Sequence, residues 1–111
     1  MKLGHLEVFV LDPIASRDWY VRVLGADPVA DQGDFQWIKL GETELLFRKG
    51  LSQKASTYRE ASIALVLYLE DLSKLEARLG EHGCDVTHGD QDECLTFHDP
   101  DGHWIQATTQ A

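Results

Sequence analysis

Hydrophobic and polar residues alternate near the start of the chain, between His5 and Val10. One side of the pattern holds Leu6, Val8 and Val10, and the other holds His5, Glu7 and Phe9. A period of two is typical of a β-strand, because successive side chains of a strand point to opposite faces of its sheet. The segment therefore predicts a strand with one apolar face and one face of mixed chemistry.

A helix and three further strands are predicted after this strand. Asp12 can cap a helix, Pro13 fits the first helical turn, and Gly25 ends the helical pattern. The apolar residues in between recur at helical spacing: Trp19, Tyr20, Val23 and Leu24. We expect Trp19 to pack in the core. Strand-like segments follow at about residues 27–30, 35–40 and 43–48, so the order is β-α-β-β-β.

The same pattern then starts again. Residues 62–69 alternate like a strand, Asp71 opens a helix with a stripe of leucines, and Gly83 ends it. Shorter strands are predicted near residues 84–88, 93–98 and 103–109. Two copies of one supersecondary unit explain this recurrence better than chance does.

The length of 111 residues and the hydrophobic share of 43% predict one compact domain. We place repeat one at residues 1–48, an exposed polar linker at 49–61, and repeat two at 62–111. The fold class is α+β, with two tandem βαβββ repeats. We expect their curved sheets to form a shared cleft with one helix behind each sheet, and we expect the chain to form a homodimer.

The charge balance excludes some partners. Ten Lys and Arg residues stand against 19 Asp and Glu residues, which gives a net charge of −9. Such a field repels phosphate backbones, so we expect no nucleic acid and no anionic membrane as a partner. We find no signal peptide or membrane-spanning segment and predict a cytoplasmic protein. The two cysteines, Cys84 and Cys94, are too few for a disulfide framework.

A turn near the C-terminus carries a family resemblance. Its sequence is Phe97-His98-Asp99-Pro100-Asp101-Gly102-His103-Trp104-Ile105-Gln106. Together with the two strand-to-helix entries at residues 5–12 and 64–71, it makes the chain resemble the vicinal oxygen chelate superfamily. That superfamily includes glyoxalase I, extradiol dioxygenases, fosfomycin-resistance enzymes and bleomycin-resistance proteins. The resemblance covers essentially the whole chain.

The resemblance implies a metal site with four ligand positions. These are a His or Gln on the first strand of each repeat and a Glu on the last strand of each repeat. His5 occupies the first position, but Ala64 stands at its counterpart in repeat two. Glu44 is the candidate in repeat one, with Leu46 as the alternative register, and Gln106 replaces the Glu of repeat two. The metal-ligand candidates are therefore His5, Glu44 and Gln106, and water would have to replace a ligand at Ala64.

Alternation along the predicted strands assigns the side chains that face the cleft. The candidate ligand-binding residues are Glu7, Phe9, Trp37, Tyr68, His98, Trp104 and Gln106. Aromatic groups with a few polar ones are usual for a small-molecule pocket. We expect His82, His88 and His103 to lie at the surface. The identity of the ligand would be set by loop residues 29–35, 49–61 and 87–93, which carry no recognisable motif.

Two functions are compatible with these residues. The first is a small-molecule binding or sequestering protein of the glyoxalase/bleomycin-resistance type, without a catalytic metal and with a cationic or aromatic ligand. Bleomycin-resistance proteins likewise lack the metal histidine of repeat two and the Glu of the last strand. The alternative is a metal-dependent lyase, isomerase or dioxygenase-related enzyme that uses a divalent metal in a depleted site around His5. We favour the binding protein, and we expect no metal cofactor.

Overall fold

The computed structural model describes residues 1–51, 53–88 and 94–109. Within these residues the chain has two α-helices and eight β-strands. It divides into two compact units, Met1–Ser52 and Gln53–Ala111, and each unit carries one helix and one four-stranded sheet. The α+β class with two tandem βαβββ repeats is therefore confirmed.

The first unit follows the predicted order of elements. These are β1 (Leu6–Val10), α1 (Pro13–Leu24), β2 (Asp27–Gln32), β3 (Phe35–Leu40) and β4 (Thr43–Lys49). The sheet order is β1-β4-β3-β2, with β1 parallel to β4 and the remaining pairs antiparallel. A parallel pair needs a long connection, which here consists of α1 with the β2–β3 hairpin.

Helix α1 begins and ends where local chemistry satisfies its backbone. The Asp12 carboxylate accepts hydrogen bonds from the N–H groups of Ile14 and Ala15, at 3.1 and 3.2 Å. At the other end, Gly25 adopts a φ of 71°, a left-handed conformation that suits glycine, and its N–H donates to the Val21 carbonyl. The helix then packs Trp19 and Tyr20 into the core, and the Tyr20 ring lies 4.9 Å from the Phe47 ring.

The strand register of the first sheet separates two faces. One face packs against α1 and buries Val10, Ile38, Leu45 and Phe47. We call the other face the distal face. Cross-strand pairs place Glu7 beside Leu46 and Leu46 beside Trp37, so all three lie on the distal face. Phe9, Arg48 and Phe35 are paired in the same way.

The second unit repeats this arrangement with shorter strands. Its elements are a 3₁₀ turn (Tyr58–Glu60), β5 (Leu65–Tyr68), α2 (Leu72–Glu81), β6 (Thr87–His88), β7 (Cys94–His98) and β8 (Trp104–Thr108). The sheet order is β5-β8-β7-β6. The core of this unit includes Leu75, Leu79, Leu95, Phe97 and Ile105. The distal face holds Val66, Gln106 and Thr96 side by side, with His98 beside Trp104.

Residues 53–61, predicted as exposed linker, belong to the second unit. Ala55, Tyr58 and Ala61 are partly buried, and the Ala55 carbonyl accepts a hydrogen bond from Trp104. Strand β4 also extends to Lys49, one residue into the predicted linker. Residue 52 of that linker, and residues 89–93 of the predicted loop and strand, lie outside the described part of the chain.

The turn between β7 and β8 is built around Asp99, whose side chain is 1% exposed. Its Oδ1 accepts hydrogen bonds from the N–H groups of Asp101 and His103, both at 2.9 Å. Its Oδ2 lies 2.8 Å from Nδ1 of His103. His103, expected at the surface, is 26% exposed, and its ring is held against this buried carboxylate. His82 and His88 are exposed, as expected.

Candidate functional site

Four side chains lie together on the distal face of the first sheet: His5, Glu7, Trp37 and Arg48. His5 meets Trp37 edge to face, with ring centroids 4.8 Å apart. Its Nε2 also lies 3.7 Å from a carboxylate oxygen of Glu7. The other oxygen of Glu7 accepts a hydrogen bond from Arg48 at 2.8 Å. Arg48 stabilises the ionised form of this carboxyl and holds the pKa of Glu7 below its ordinary value.

Two phenylalanines extend this face as exposed apolar surface. Phe9 is 46% exposed and Phe35 is 40% exposed. The guanidinium of Arg48 lies over the Phe35 ring, 4.6 Å from its centroid, in a cation–π contact. Arg48 was not among the predicted site residues, although its place two residues after Leu46 on one strand puts it on the same face.

The candidate metal ligands of the first unit lie on this face as well. In the parallel pairing of β1 with β4, Leu6 is level with Leu45, so the next step of the register would set His5 beside Glu44. Leu46, the alternative, is level with Glu7 and is buried. The register therefore favours Glu44 as the neighbour of His5. Its role as a ligand stays a prediction.

The second unit holds a pocket of about 340 Å³ on the distal face of its sheet. The lining residues come from the segment before β5, from strands β6, β7 and β8, and from the residues before β6 and β8: Lys54, Ala55, Ser56, Asp85, Thr87, Thr96, His98, Gly102 and Trp104. Two of the predicted ligand-binding residues, His98 and Trp104, are thus brought together. Their rings meet edge to face with centroids 5.1 Å apart. Gln106 follows Trp104 on the same face, and Tyr68 is 66% exposed.

The segment Gln53–Tyr58, which we call the strap, forms one wall of this pocket. The indole N–H of Trp104 donates to the Ala55 carbonyl at 2.9 Å. The Tyr58 ring meets the Trp104 ring edge to face, with ring centroids 6.4 Å apart. The stem of Lys54 packs on Gly102, where an added Cβ would lie 2.7 Å from its Cγ. Gly102 also has a φ of 91°, which disfavours any other residue at this point. Composition alone marked the strap as polar linker, so its role was missed.

The polar side chains of the pocket differ in whether they have hydrogen-bond partners. Nδ1 of His98 lies 2.8 Å from the Asp99 carbonyl oxygen. A carbonyl only accepts, so Nδ1 of His98 is the donor in this hydrogen bond. Thr87 donates its hydroxyl to the Thr96 carbonyl at 3.5 Å. In contrast, the hydroxyl oxygen of Thr96 is buried and has no hydrogen-bond partner among the described residues.

The donors available do not fit a catalytic divalent metal. Such a site needs about three protein ligands, usually with carboxylate or imidazole donors. Ala64 offers no donor, and Gln106 supplies only a neutral amide oxygen where a carboxylate is expected. Glu7, whose carboxylate lies 3.7 Å from Nε2 of His5, is already paired with Arg48. Among the described residues, no group of three His, Cys, Asp or Glu side chains could hold a metal ion.

The tandem βαβββ architecture defines a class of protein, and the comparisons agree with it. The model of the Glyoxalase/Bleomycin resistance protein/Dioxygenase superfamily matches residues 2–107. The chain therefore belongs to this superfamily. The comparison with curated protein sequences returns no match. In the residues described, no helix has the length and hydropathy required to cross a bilayer.

Solved structures with the same fold include antibiotic-binding and antibiotic-resistance proteins. TnmS3, an antibiotic-binding protein from Streptomyces sp. CB03234, has a TM-score of 0.73 and 25% identity, with 100% of this chain and 99% of that chain covered. The fosfomycin resistance protein FosX from Listeria monocytogenes has a TM-score of 0.78 and 18% identity, with coverage of 99% and 92%. A further structure of FosX from that organism, with a TM-score of 0.79 and 17% identity, is a complex with Mn(II) and sulfate that covers 99% of this chain and 90% of that one.

Proposed function

We propose that this chain binds and sequesters a small aromatic molecule and does not convert it through a catalytic metal. The observation that carries the proposal is the pocket of about 340 Å³ in the second unit, with the rings of Trp104 and His98 in its wall. A concave site with aromatic walls and a few hydrogen-bonding groups is the usual form of a small-molecule pocket. The similarity to TnmS3, described as an antibiotic-binding protein, supports the same class of function.

Other residues belong to this proposal as predicted ligand contacts. Glu7, Phe9 and Trp37 lie on the distal face of the first sheet, and Tyr68 and Gln106 lie on that of the second. A homodimer and a cytoplasmic location are also part of it. The donor set argues against the alternative of a metal-dependent lyase or isomerase, because Ala64 offers no ligand, Gln106 offers a neutral amide, and Glu7 is paired with Arg48.

The proposal can be tested with 6-methylquinoline, a planar probe that is neutral at pH 7.5. We expect binding in the sub-millimolar to millimolar range, seen in ¹H–¹⁵N spectra as a shift of one of the three tryptophan indole signals. Trp104→Phe identifies that signal and removes the hydrogen bond to Ala55. Trp19→Phe is the matched control, because Trp19 is buried against Tyr20 in the other unit. A shift confined to the Trp19 signal, or no shift at all, would contradict binding in the pocket.

A separate measurement tests whether the protein binds a divalent metal ion. The purified protein is analysed for metal content and then titrated with Zn²⁺, Ni²⁺ and Mn²⁺. For a binding protein we expect no stoichiometric tight metal. Tight uptake of one ion per chain that is lost in both His5→Ala and Glu44→Gln would instead support the metal-dependent enzyme.

A further inference from the structure

We infer that the hydroxyl of Thr96 is the group that selects the ligand of the second unit's pocket, and that it favours planar aromatic molecules carrying a hydrogen-bonding oxygen. This inference rests on the proposed binding function. It deepens that function by naming a selecting residue and a chemical class of ligand. Its starting point is the position of Thr96 on the distal face, between Thr87 of β6 and Gln106 of β8.

Thr96 is buried and its hydroxyl lacks a hydrogen-bond partner among the described residues, two properties that rarely occur together. The residue lines the pocket, and it is only 4% exposed. Its hydroxyl oxygen is nevertheless without a hydrogen-bond partner among the described residues. Buried hydroxyls are almost always paired, and an unpaired one in a native structure needs an explanation. A ligand that completes the hydrogen bond supplies one.

The neighbouring hydroxyl does not fill this role. Thr87 donates its own hydroxyl to the backbone carbonyl of Thr96, so that carbonyl has a partner and the Thr96 side chain gains nothing from the contact. The Thr87 hydroxyl would have to break this bond to donate to a ligand oxygen. Among the described residues the Thr96 hydroxyl has no hydrogen bond to lose, and a change of the χ1 rotamer can move its oxygen to the position of the methyl group.

The surroundings of Thr96 define the rest of the ligand. The ring pair of His98 and Trp104 provides flat apolar surface, and offset or edge-to-face contacts on such surface favour a planar aromatic guest. The Trp104 indole N–H already donates to the Ala55 carbonyl of the strap. It could donate to a ligand oxygen only if that hydrogen bond were broken. The Thr96 hydroxyl can donate to an oxygen or accept from a phenol, so it matches both carbonyl and hydroxyl substituents.

The test uses two probes that differ only at one substituent, 6-hydroxyquinoline and 6-methylquinoline. Dissociation constants are measured for both probes on the wild type and on Thr96→Val, which keeps the shape of the side chain and removes the hydroxyl. We expect the wild type to prefer the hydroxyl probe by about fivefold, which corresponds to about 1 kcal/mol. In Thr96→Val we expect this preference to disappear. In Thr96→Ser, which restores the hydroxyl, we expect it to return.

Two controls separate selection from structure. Thr87→Val removes a hydroxyl from the same pocket that already has a partner, and we expect it to leave the preference unchanged. The melting temperature of Thr96→Val should be unchanged or raised by up to about 5 °C, because the variant removes a buried unpaired group. A purely structural hydroxyl would instead lower the melting temperature on replacement.

The possible outcomes distinguish the selecting role of Thr96 from the proposed binding function. An equal preference for the hydroxyl probe in the wild type and in Thr96→Val overturns the role of Thr96 and leaves the binding function standing, provided that Trp104→Phe weakens both probes. If neither probe binds to the wild type, both the binding function and the role of Thr96 are contradicted. A lowered melting temperature in Thr96→Val together with an unchanged preference assigns the hydroxyl to stability alone.

Discussion

Glu7 illustrates how a neighbouring side chain changes what a predicted site residue can do. Its carboxylate accepts a hydrogen bond from Arg48 at 2.8 Å and lies 3.7 Å from Nε2 of His5. The hydrogen bond and the positive charge of Arg48 both favour the ionised carboxylate, so the pKa of Glu7 is lowered. A carboxylate that is already paired is a poor general base and a weak partner for a cationic guest.

This interpretation predicts the titration of Glu7 in Arg48→Met. The pKa of Glu7 is lower in the folded protein than in the unfolded chain, so its pairing with Arg48 contributes to stability at pH values above the unfolded pKa. This contribution is lost as the pH falls through the folded pKa. We expect the carboxyl ¹³C signal of Glu7 to titrate at higher pH in Arg48→Met than in the wild type. Lys49→Met is the matched control, since Lys49 contacts Asp34 instead and should leave the midpoint unchanged. Identical midpoints in the wild type and Arg48→Met would contradict the assignment.

Asp99 is a second residue whose surroundings decide its role. The carboxylate is 1% exposed, accepts two backbone hydrogen bonds and contacts His103. Removing it leaves those donors without an acceptor inside the turn, so Asp99→Ala should lower the free energy of unfolding by about 3 kcal/mol. Asp99→Asn keeps one oxygen for the backbone and should cause a smaller loss. Chemical denaturation measures both, and equal losses would contradict a separate contribution from the two backbone hydrogen bonds.

At the scale of elements, Gln36 ties helix α1 to the β2–β3 hairpin. Its side-chain oxygen accepts a hydrogen bond from Arg17 at 2.7 Å, and its amide donates to Asp31 and to the Gly33 carbonyl, both at 2.6 Å. Gln36 is completely buried, on the face that packs against α1. The amide is also the main cause of the lowered pKa of Asp31. One neutral side chain therefore joins a helix, a strand and a turn.

Replacing Gln36 with Leu should remove this connection. We expect a loss of about 2 kcal/mol in the free energy of unfolding, because the hydrogen bonds of the buried Gln36 amide to Arg17, Asp31 and the Gly33 carbonyl are lost while the side-chain volume is kept. The pKa of Asp31 should rise towards its ordinary value in the variant. Gln32→Leu is the control, because Gln32 is exposed and its side chain accepts a hydrogen bond from Trp37 at 3.2 Å. A loss no larger than that of the control would show that the network adds no stability.

The order of the elements was predictable from sequence, and their polar connections were not. Alternation at residues 5–10 and the Asp–Pro entry at residues 12–13 fix strand β1 and helix α1 through local backbone chemistry. The burial of Gln36 and Asp99 has no such local signal, because glutamine and aspartate are usually exposed. The strap was missed for the same reason, since its contacts with Trp104 and Gly102 join residues almost fifty positions apart. Distal-face residues could be assigned because strand alternation is local, whereas the pocket depends on long-range packing.

At the scale of the whole molecule, the excess of acidic residues and the local charges of the pocket act differently on a ligand. The chain carries a net charge of −9, but the pocket lining includes one lysine, Lys54, and one aspartate, Asp85. These two formal charges balance. Any preference for a cation in this pocket should therefore come from the summed field of the molecule, which acts at long range and is screened by salt.

This distinction predicts how binding responds to ionic strength. The cation 1-methylquinolinium is compared with neutral 6-methylquinoline at about 10 mM and about 1 M NaCl, where the screening length falls from about 30 to about 3 Å. We expect the cation to be favoured a few-fold at low salt and the preference to vanish at high salt, while the affinity for the neutral probe changes little. Asp85→Asn serves as the variant that removes the local acid. A cation preference that persists at 1 M NaCl and disappears in Asp85→Asn would instead assign it to direct pairing at the pocket, because a contact pair is screened far less than a distributed field.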